Sequence, residues 1–199
     1  DVAFADRILL DNTPVTGTSH KTKVAGPHAF ELAAENRYGS RKASITVHVE
    51  SGGAVRISEF LAANDNGLAD EYGESSDWIE IENTGKGTVD LAEWFLSDDP
   101  ANLQMWTFPA GTTLAAGGRL IVRASGRGIP APKGELHTNF KVGSDKDGFL
   151  AIVQKDGAFG NYFFDYPKQR TDFSFGLNAE GQSAFFASPT PGQSNAASG

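Results

Sequence analysis

From Arg56 to the C-terminus this chain is interrupted so often that only short strands fit between the interruptions. Gly85-Lys86-Gly87, Gly117-Gly118, Asp147-Gly148 and Asp156-Gly157 are turn signals, the last two being Asp-Gly pairs suited to tight hairpins. Between them lie candidate strands: Arg56–Phe60, Trp78–Glu82, Val89–Leu91, Trp94–Ser97, Met105–Phe108, Arg119–Ala124, Phe149–Gln154, Tyr162–Asp165 and Ser183–Ala187. No helical periodicity outlasts a turn or two, and Leu61–Asp70 reads as at most a short helical or loop excursion. That rhythm predicts an all-β sandwich or barrel. Composition agrees, since 23 Gly, 9 Pro and 14 Phe against a single Met favour strands and turns over helices.

A chain of 199 residues holds one or two domains. Residues 1–50 supply three further strand candidates. In 40–49 (SRKASITVHV), Ile45, Val47 and Val49 alternate with Thr46 and His48, as a half-buried strand requires. Ala29–Ala34 is a second, joined to it by a turn at 35–40, and Arg7–Leu10 a third, with Asp11-Asn12-Thr13-Pro14 as its turn. Fifty residues fall short of the ~100 of a complete immunoglobulin-type sandwich, so this piece is expected to be partial or small. Ser51-Gly52-Gly53 opens a linker over 51–55, the main domain runs 56–195, and 196–199 form a tail. The chain begins at Asp1 with neither initiator Met nor signal peptide, which suggests a piece of a longer precursor.

Several function classes lose support from composition. Without Cys there are no disulfides, thiolate zinc sites or Cys nucleophiles. No apolar run approaches the ~20 residues needed to cross a bilayer as a helix, so no membrane insertion is expected. Residues 1–50 are balanced at six acidic and six basic side chains, so the net charge of -8 lies in the remainder. Between Glu59 and Asp99 stand twelve carboxylates and one lysine, Lys86. Such a stretch repels a phosphate backbone, and nucleic acid is not the expected partner.

Several motifs occur in fixed order along the second domain: I-S-E-F at 57–60, D-W-I-E-I-E-N at 77–83, V-D-L-A-E-W-F-L-S-D at 89–98, F-P-A-G-T at 108–112 and P-T-P-G-Q-S-N at 189–195. Together they resemble the lamin-tail domain of bacterial secreted and surface proteins. The stretch AFELAAENRYGSRKASITVHV is similar to the last strands of bacterial immunoglobulin-like and polycystic-kidney-type repeats. The resemblance implies an immunoglobulin-like β-sandwich acting as a non-catalytic accessory module within a long extracellular or cell-surface protein. Independently, D-W-I-E-I-E places Ile79 and Ile81 on one face and Trp78, Glu80 and Glu82 on the other, so one face packs and the other is wet or capped. Trp94-Phe95-Leu96 reads as a strand covered on both sides. The expected core comprises Ile79, Ile81, Leu91, Trp94, Leu96, Phe108, Leu120, Val122, Leu150 and Ile152.

The loop Asp65–Asp77 is the most suggestive chemistry. Hard oxygen ligands crowd a loop containing Gly67 and Gly73, the composition that Ca²⁺ asks for, and Asp65, Asp70, Glu71 and Asp77 are its candidate ligands. Asp98 and Asp99 could join from a strand end. The spacing is not that of an EF-hand, and the competing reading makes Asp65, Asn66 and Asp77 turn and cap residues that bind nearby amides. Asp145-Lys146-Asp147-Gly148 reads as a hairpin turn that starts the strand at Phe149.

The four His, at 20, 28, 48 and 137, show no metal-ligand spacing, and His137 is expected to be a structural hydrogen-bonder. Trp78, Trp94 and Trp106 could form a sugar-stacking platform, although core placement is the better fit for so large a ring. No nucleophile elbow or phosphate loop occurs, so no catalytic residue is assigned. The function expected is an interaction, adhesion or spacer module whose partner is a protein or surface polysaccharide, beside other domains of the same precursor. The alternatives are a carbohydrate-binding module and, behind it, an accessory fragment of a hydrolase.

Overall fold

A computed structural model describes residues 7–10, 13–15, 28–36, 39–47, 53–128, 134–145 and 147–195. The Asp11-Asn12 turn, Ser51-Gly52 of the linker, His20, His48 and Lys146 lie outside these residues. Two compact units divide the chain, Asp1–Glu50 and Ser51–Gly199.

In the first unit, β1 (Arg7–Leu10), β2 (Thr13–Val15), β3 (His28–Asn36) and β4 (Gly39–Val47) form an antiparallel sheet in the order β2-β1-β3-β4. Leu9 pairs with Ala33 and both are buried. Thr13 and Pro14, expected in a turn, belong instead to β2, where Pro14 pairs with Leu9. β2 is an edge strand, and an edge tolerates a residue that has no N–H to donate.

The second unit is all-β, and among the described residues it contains no helix. One sheet has six strands: β5 (Val55–Leu61), β6 (Asp77–Asn83), β11 (Arg119–Ala124), β12 (Leu136–His137), β15 (Ser174–Leu177) and β16 (Ser183–Phe186), in the order β12-β11-β6-β5-β15-β16. A second sheet orders β14 (Phe159–Tyr166), β13 (Gly148–Val153), β8 (Phe95–Ser97) and β9 (Trp106–Thr107). A small ribbon joins β7 (Val89–Asp90) to β10 (Thr113–Leu114).

The alternation in β6 sets the inner face. Ile79 and Ile81 are fully buried with Ile57, Phe60 and Val122 of the same sheet, against Leu96, Leu150, Ile152 and Phe163 of the other. Burying each such aliphatic side chain contributes about 1.5–3 kcal/mol. Phe60 is the aromatic hub, with the rings of Phe163 and Phe175 edge-on at 5.4 and 5.7 Å. Leu91, Trp94 and Phe108 also join this core, while Leu120 only packs against its margin and stays half-buried. Asn161 ties the sheets laterally, its side chain accepting from Ile57 N at 2.7 Å and donating to Ile57 O at 3.0 Å.

β13 is buried on both faces. Leu150 and Ile152 enter the main core, whereas Phe149, Ala151 and Val153 form a second cluster with Phe159, against which Phe95 and Tyr162 pack. A strand covered on two sides reads as a continuous apolar run, and FLAIV is one. Asp156-Gly157 turns β13 into β14, with Gln154 N donating to Ala158 O at 2.7 Å and Asp156 Oδ1 accepting from Ala158 N. Asp147-Gly148 forms no hairpin, because the preceding strand β12 pairs in the other sheet. Its glycine serves close packing: a Cβ on Gly148 would lie 2.1 Å from the Tyr166 ring.

Candidate functional site

The polar residues of the sequence motifs meet on the outer face of the six-stranded sheet. Register sets Arg56 beside Glu82 and Glu82 beside Arg119 across β5, β6 and β11. Arg119 bridges two carboxylates, its Nη1 2.5 Å from Glu80 Oε1 and its Nη2 2.5 Å from Glu82 Oε1. Arg56 closes the row on Glu82 Oε2 at 2.9 Å. A bulge at Ser58, between Ile57 and Glu59, turns both Ser58 and Glu59 toward this face. The Ser58 hydroxyl donates to Glu80 Oε1 at 2.6 Å.

Residues 188–195 strap this face. Thr190 donates its N–H and its hydroxyl to the Glu59 carboxylate, the latter at 2.8 Å, and Gly192 N donates to Glu80 Oε2 at 2.6 Å. Asn195 Nδ2 donates to Ser58 O at 3.0 Å and Leu177 O at 2.8 Å. Ser174 Oγ completes the shell of Glu59 with a short bond to Oε1. Burial pushes the Glu59 carboxyl above its ordinary value; the bonds from Ser174 and Thr190 oppose that, and the Glu80 charge adds to it. The motifs I-S-E-F, D-W-I-E-I-E and P-T-P-G-Q-S-N are therefore three parts of one internal network.

At the other end of the same face lies the acidic loop, residues 62–76, ending on Asp77 of β6. Asp70 is buried and accepts from Tyr72 N at 2.9 Å, Glu74 N at 3.0 Å and Ser76 Oγ at 2.8 Å. Burial works against its charge, yet these bonds and the Arg127 guanidinium hold its carboxyl below the ordinary value. Asp77 Oδ1 accepts from Asn64 N at 3.2 Å, and burial dominates, pushing its carboxyl up to about 6. Glu71 is anchored through its amide, which donates to Glu135 Oε2 at 3.0 Å. Asp65 likewise presents its amide, together with that of Asn66, to Asp172 Oδ1. Gly73 sits at φ +80°, the left-handed region, with its N–H on Asp70 O. The Asp70 and Asp77 carboxylates are thus committed to different donors, and Asp65 and Glu71 are held through their amides. Among the described residues no three His, Asp or Glu side chains are grouped so as to hold a metal ion.

Arg123, nearly fully buried, floors this end. It donates to Leu68 O at 3.0 Å and Ala69 O at 2.8 Å, and pairs with Glu135 at 3.0 Å. Next to it on β12, His137 is 1% exposed with Nδ1 2.8 Å from Ser125 Oγ. Trp78, Trp94 and Trp106 are 0%, 9% and 8% exposed, too buried to serve as a stacking platform. Asp99 caps a turn through Ala101 N at 2.8 Å, and Asp98 lines a cleft of about 220 Å³ with Asp147, Asp165, Phe164 and Tyr166.

The strap network was invisible in the sequence because its partners are far apart along the chain. Arg119 belonged to no motif, and Glu59 stood in I-S-E-F with no partner in view. The one available signal was the pairing of carboxylates on the outer face of β6 with a Thr/Gly/Asn-rich terminal motif able to donate to them. Chemically the face holds ion pairs and caps, and the Ser125 hydroxyl lies 2.8 Å from Nδ1 of His137.

Residues 48–159 match the model of one family, the Lamin Tail Domain. The sandwich itself continues beyond that match through β14 to β16 and the strap. No curated protein and no solved structure matches the chain.

Proposed function

We propose that this chain, which belongs to the lamin tail domain family, is a non-catalytic interaction, adhesion or spacer module of a larger bacterial secreted or surface protein. The observation that supports it most is where the reactive-looking residues go. Glu59, Glu80, Glu82, Arg119, Arg123 and Asp70 all bind groups of their own domain, and the short loops are left as what the sandwich presents. A protein or surface polysaccharide and the neighbouring domains of the same precursor are the partners this reading supplies, with nucleic acid disfavoured by the negative charge. The test incubates the whole chain with intact bacterial cells and, separately, with polysaccharide, nucleic-acid and phosphoester substrates. Saturable retention on cells without turnover is expected. Turnover that Glu80→Gln abolishes would overturn it.

A carbohydrate-binding role is the second reading. Phe164, 36% exposed beside Asp98 and Asp165, offers a ring and carboxylates to a sugar. Retardation in polysaccharide gels that Phe164→Ala removes would select it.

A further inference from the structure

Leu68 and Tyr72, at 41% and 46%, are the most exposed large apolar side chains among the described residues, and both stand on the acidic loop. Single exposed apolar residues need no explanation. These two differ because the backbone that carries them is fixed from several directions. Arg123 and Asn64 hold the Leu68 carbonyl, Glu135 holds the Glu71 amide, and Asp172 holds the start of the loop. Tyr72 is clamped as well, with the Arg127 guanidinium 4.0 Å over its ring and the His137 ring edge-on at 5.9 Å. A surface whose conformational entropy is already lost on folding binds with little further ordering cost.

The charge around the tip is predominantly negative. The loop contributes Asp65, Asp70, Glu71, Glu74 and Asp77 and no basic residue, and Glu135 and Asp172 lie against it. Three cations answer them, Arg123 on Glu135, Arg127 on Glu74 at 2.7 Å and Lys141 acting on Asp77, so carboxylates remain in excess. A second observation lies in contact with Tyr72: His137 is 1% exposed and its Nε2 has no hydrogen-bond partner, a polar atom left over at the base of the tip.

We propose that this tip is the docking surface for a basic protein segment, with an apolar side chain against Leu68 and Tyr72 and Lys or Arg side chains toward the surrounding carboxylates. It rests on the reading of the domain as an interaction module and assigns that module its binding face. Complementary charge steers such a partner and makes the contact salt-sensitive.

A displayed random-peptide library is selected on the whole chain, and the enriched peptides are titrated against wild type, Leu68→Ser, Glu74→Gln and Phe164→Ser. Expected are peptides that combine Lys or Arg with Leu or aromatic residues, weaker in added salt and about tenfold or more weaker on Leu68→Ser. Glu74→Gln should bind more weakly and with a shallower salt dependence, while Phe164→Ser binds as wild type. Leu68 is exposed, so its substitution leaves the fold intact, checked by an unchanged melting curve. Peptides without cationic bias, or equal binding to Leu68→Ser, overturn the proposal. So does an empty selection, whereas the module reading is judged separately by retention of the whole chain on cells. A surface polysaccharide lost with Leu68→Ser would give the tip to a glycan and overturn it too.

Discussion

At one end of the outer face of the six-stranded sheet, carboxylates lie against guanidinium groups and a returning strap; at the other, they turn onto the backbone amides of their own loop. Glu80 and Glu82 share Arg119, and Glu59 is closed by Thr190 and Ser174. Asp70 instead gathers the amides of Tyr72 and Glu74 and the Ser76 hydroxyl, and Asp77 takes the amide of Asn64. Both ends neutralise part of a sequence stretch with twelve carboxylates to one lysine. The strap end does it with partners from across the chain and the loop end mostly with local ones. Charge density along a sequence is therefore a poor guide to free charge in the fold, because the cations that answer it, Arg56, Arg119 and Arg127, all lie outside the stretch.

The sharpest way to break this comparison is Arg119→Ala. It leaves Glu80, which has no exposed surface, with its hydrogen bonds but without its cation. Removing one partner of a buried pair costs about 3–5 kcal/mol. Chemical unfolding should show that loss; a change within error would mean that solvent reaches Glu80 and the strap end is no different from the loop end. Asn195→Ala should be milder, since it strands the carbonyls of Ser58 and Leu177 at a cost of about 1–3 kcal/mol. Faster amide exchange at Thr190 and Gly192 should accompany it, and unaltered exchange would separate Asn195 from the strap.

These two residues also mark how much was legible in the sequence. The inner faces were, because period-two alternation in D-W-I-E-I-E and the apolar run of β13 depend only on neighbours. β15 was missed because Gly176 suggests a turn. In the fold it lets the strand approach β5, where a Cβ would lie 2.2 Å from Ser58 O. β10 and β12 are two-residue pairings with no room for a pattern. For the outer face the sequence named the carboxylates of β6 but not their partners, since Ser58 and Asn195 meet across 137 positions and nothing local encodes such a contact. The acidic loop was legible only in part as turn-and-cap chemistry: Asp77 reads as a cap and accepts from Asn64 N, whereas Asp70, which takes two amides and a hydroxyl, reads only as a metal ligand.

A smaller effect, on pH dependence, comes from both ends. The Asp77 carboxyl is raised to about 6, so the folded protein resists its ionisation. Its contribution to stability is then present at low pH and is lost as pH rises through about 6. Glu59, also raised, acts in the same sense, whereas lowered Asp70, Glu135 and Asp172 withdraw stability only below the ordinary carboxylate range. The melting temperature should climb as pH falls from neutrality toward 5, then drop in stronger acid. Asp77→Asn should flatten the climb, leaving the share due to Glu59 and to Asp98, whose carboxyl burial also raises. An unchanged slope in that variant would place the titration elsewhere.

The smallest expected effect concerns calcium, which tests the loop end alone. A bound ion needs 6–8 oxygens turned toward one point. Asp70 has its oxygens committed to Tyr72, Glu74 and Ser76, Asp77 has one on Asn64, and the Leu68 and Ala69 carbonyls face Arg123, a cation that repels the ion. Recruiting these groups would mean breaking the caps that order the loop. An ion that bound only the folded state would add about 2.7 kcal/mol at a hundred times its dissociation constant, a readily visible shift in melting. We expect the melting curves in millimolar Ca²⁺ and in excess chelator to superimpose, for wild type and for Asp70→Asn alike. A rise in calcium that Asp77→Asn removes would show that the loop rearranges around the ion. Its carboxylates would then be ligands first and caps only in the ion's absence.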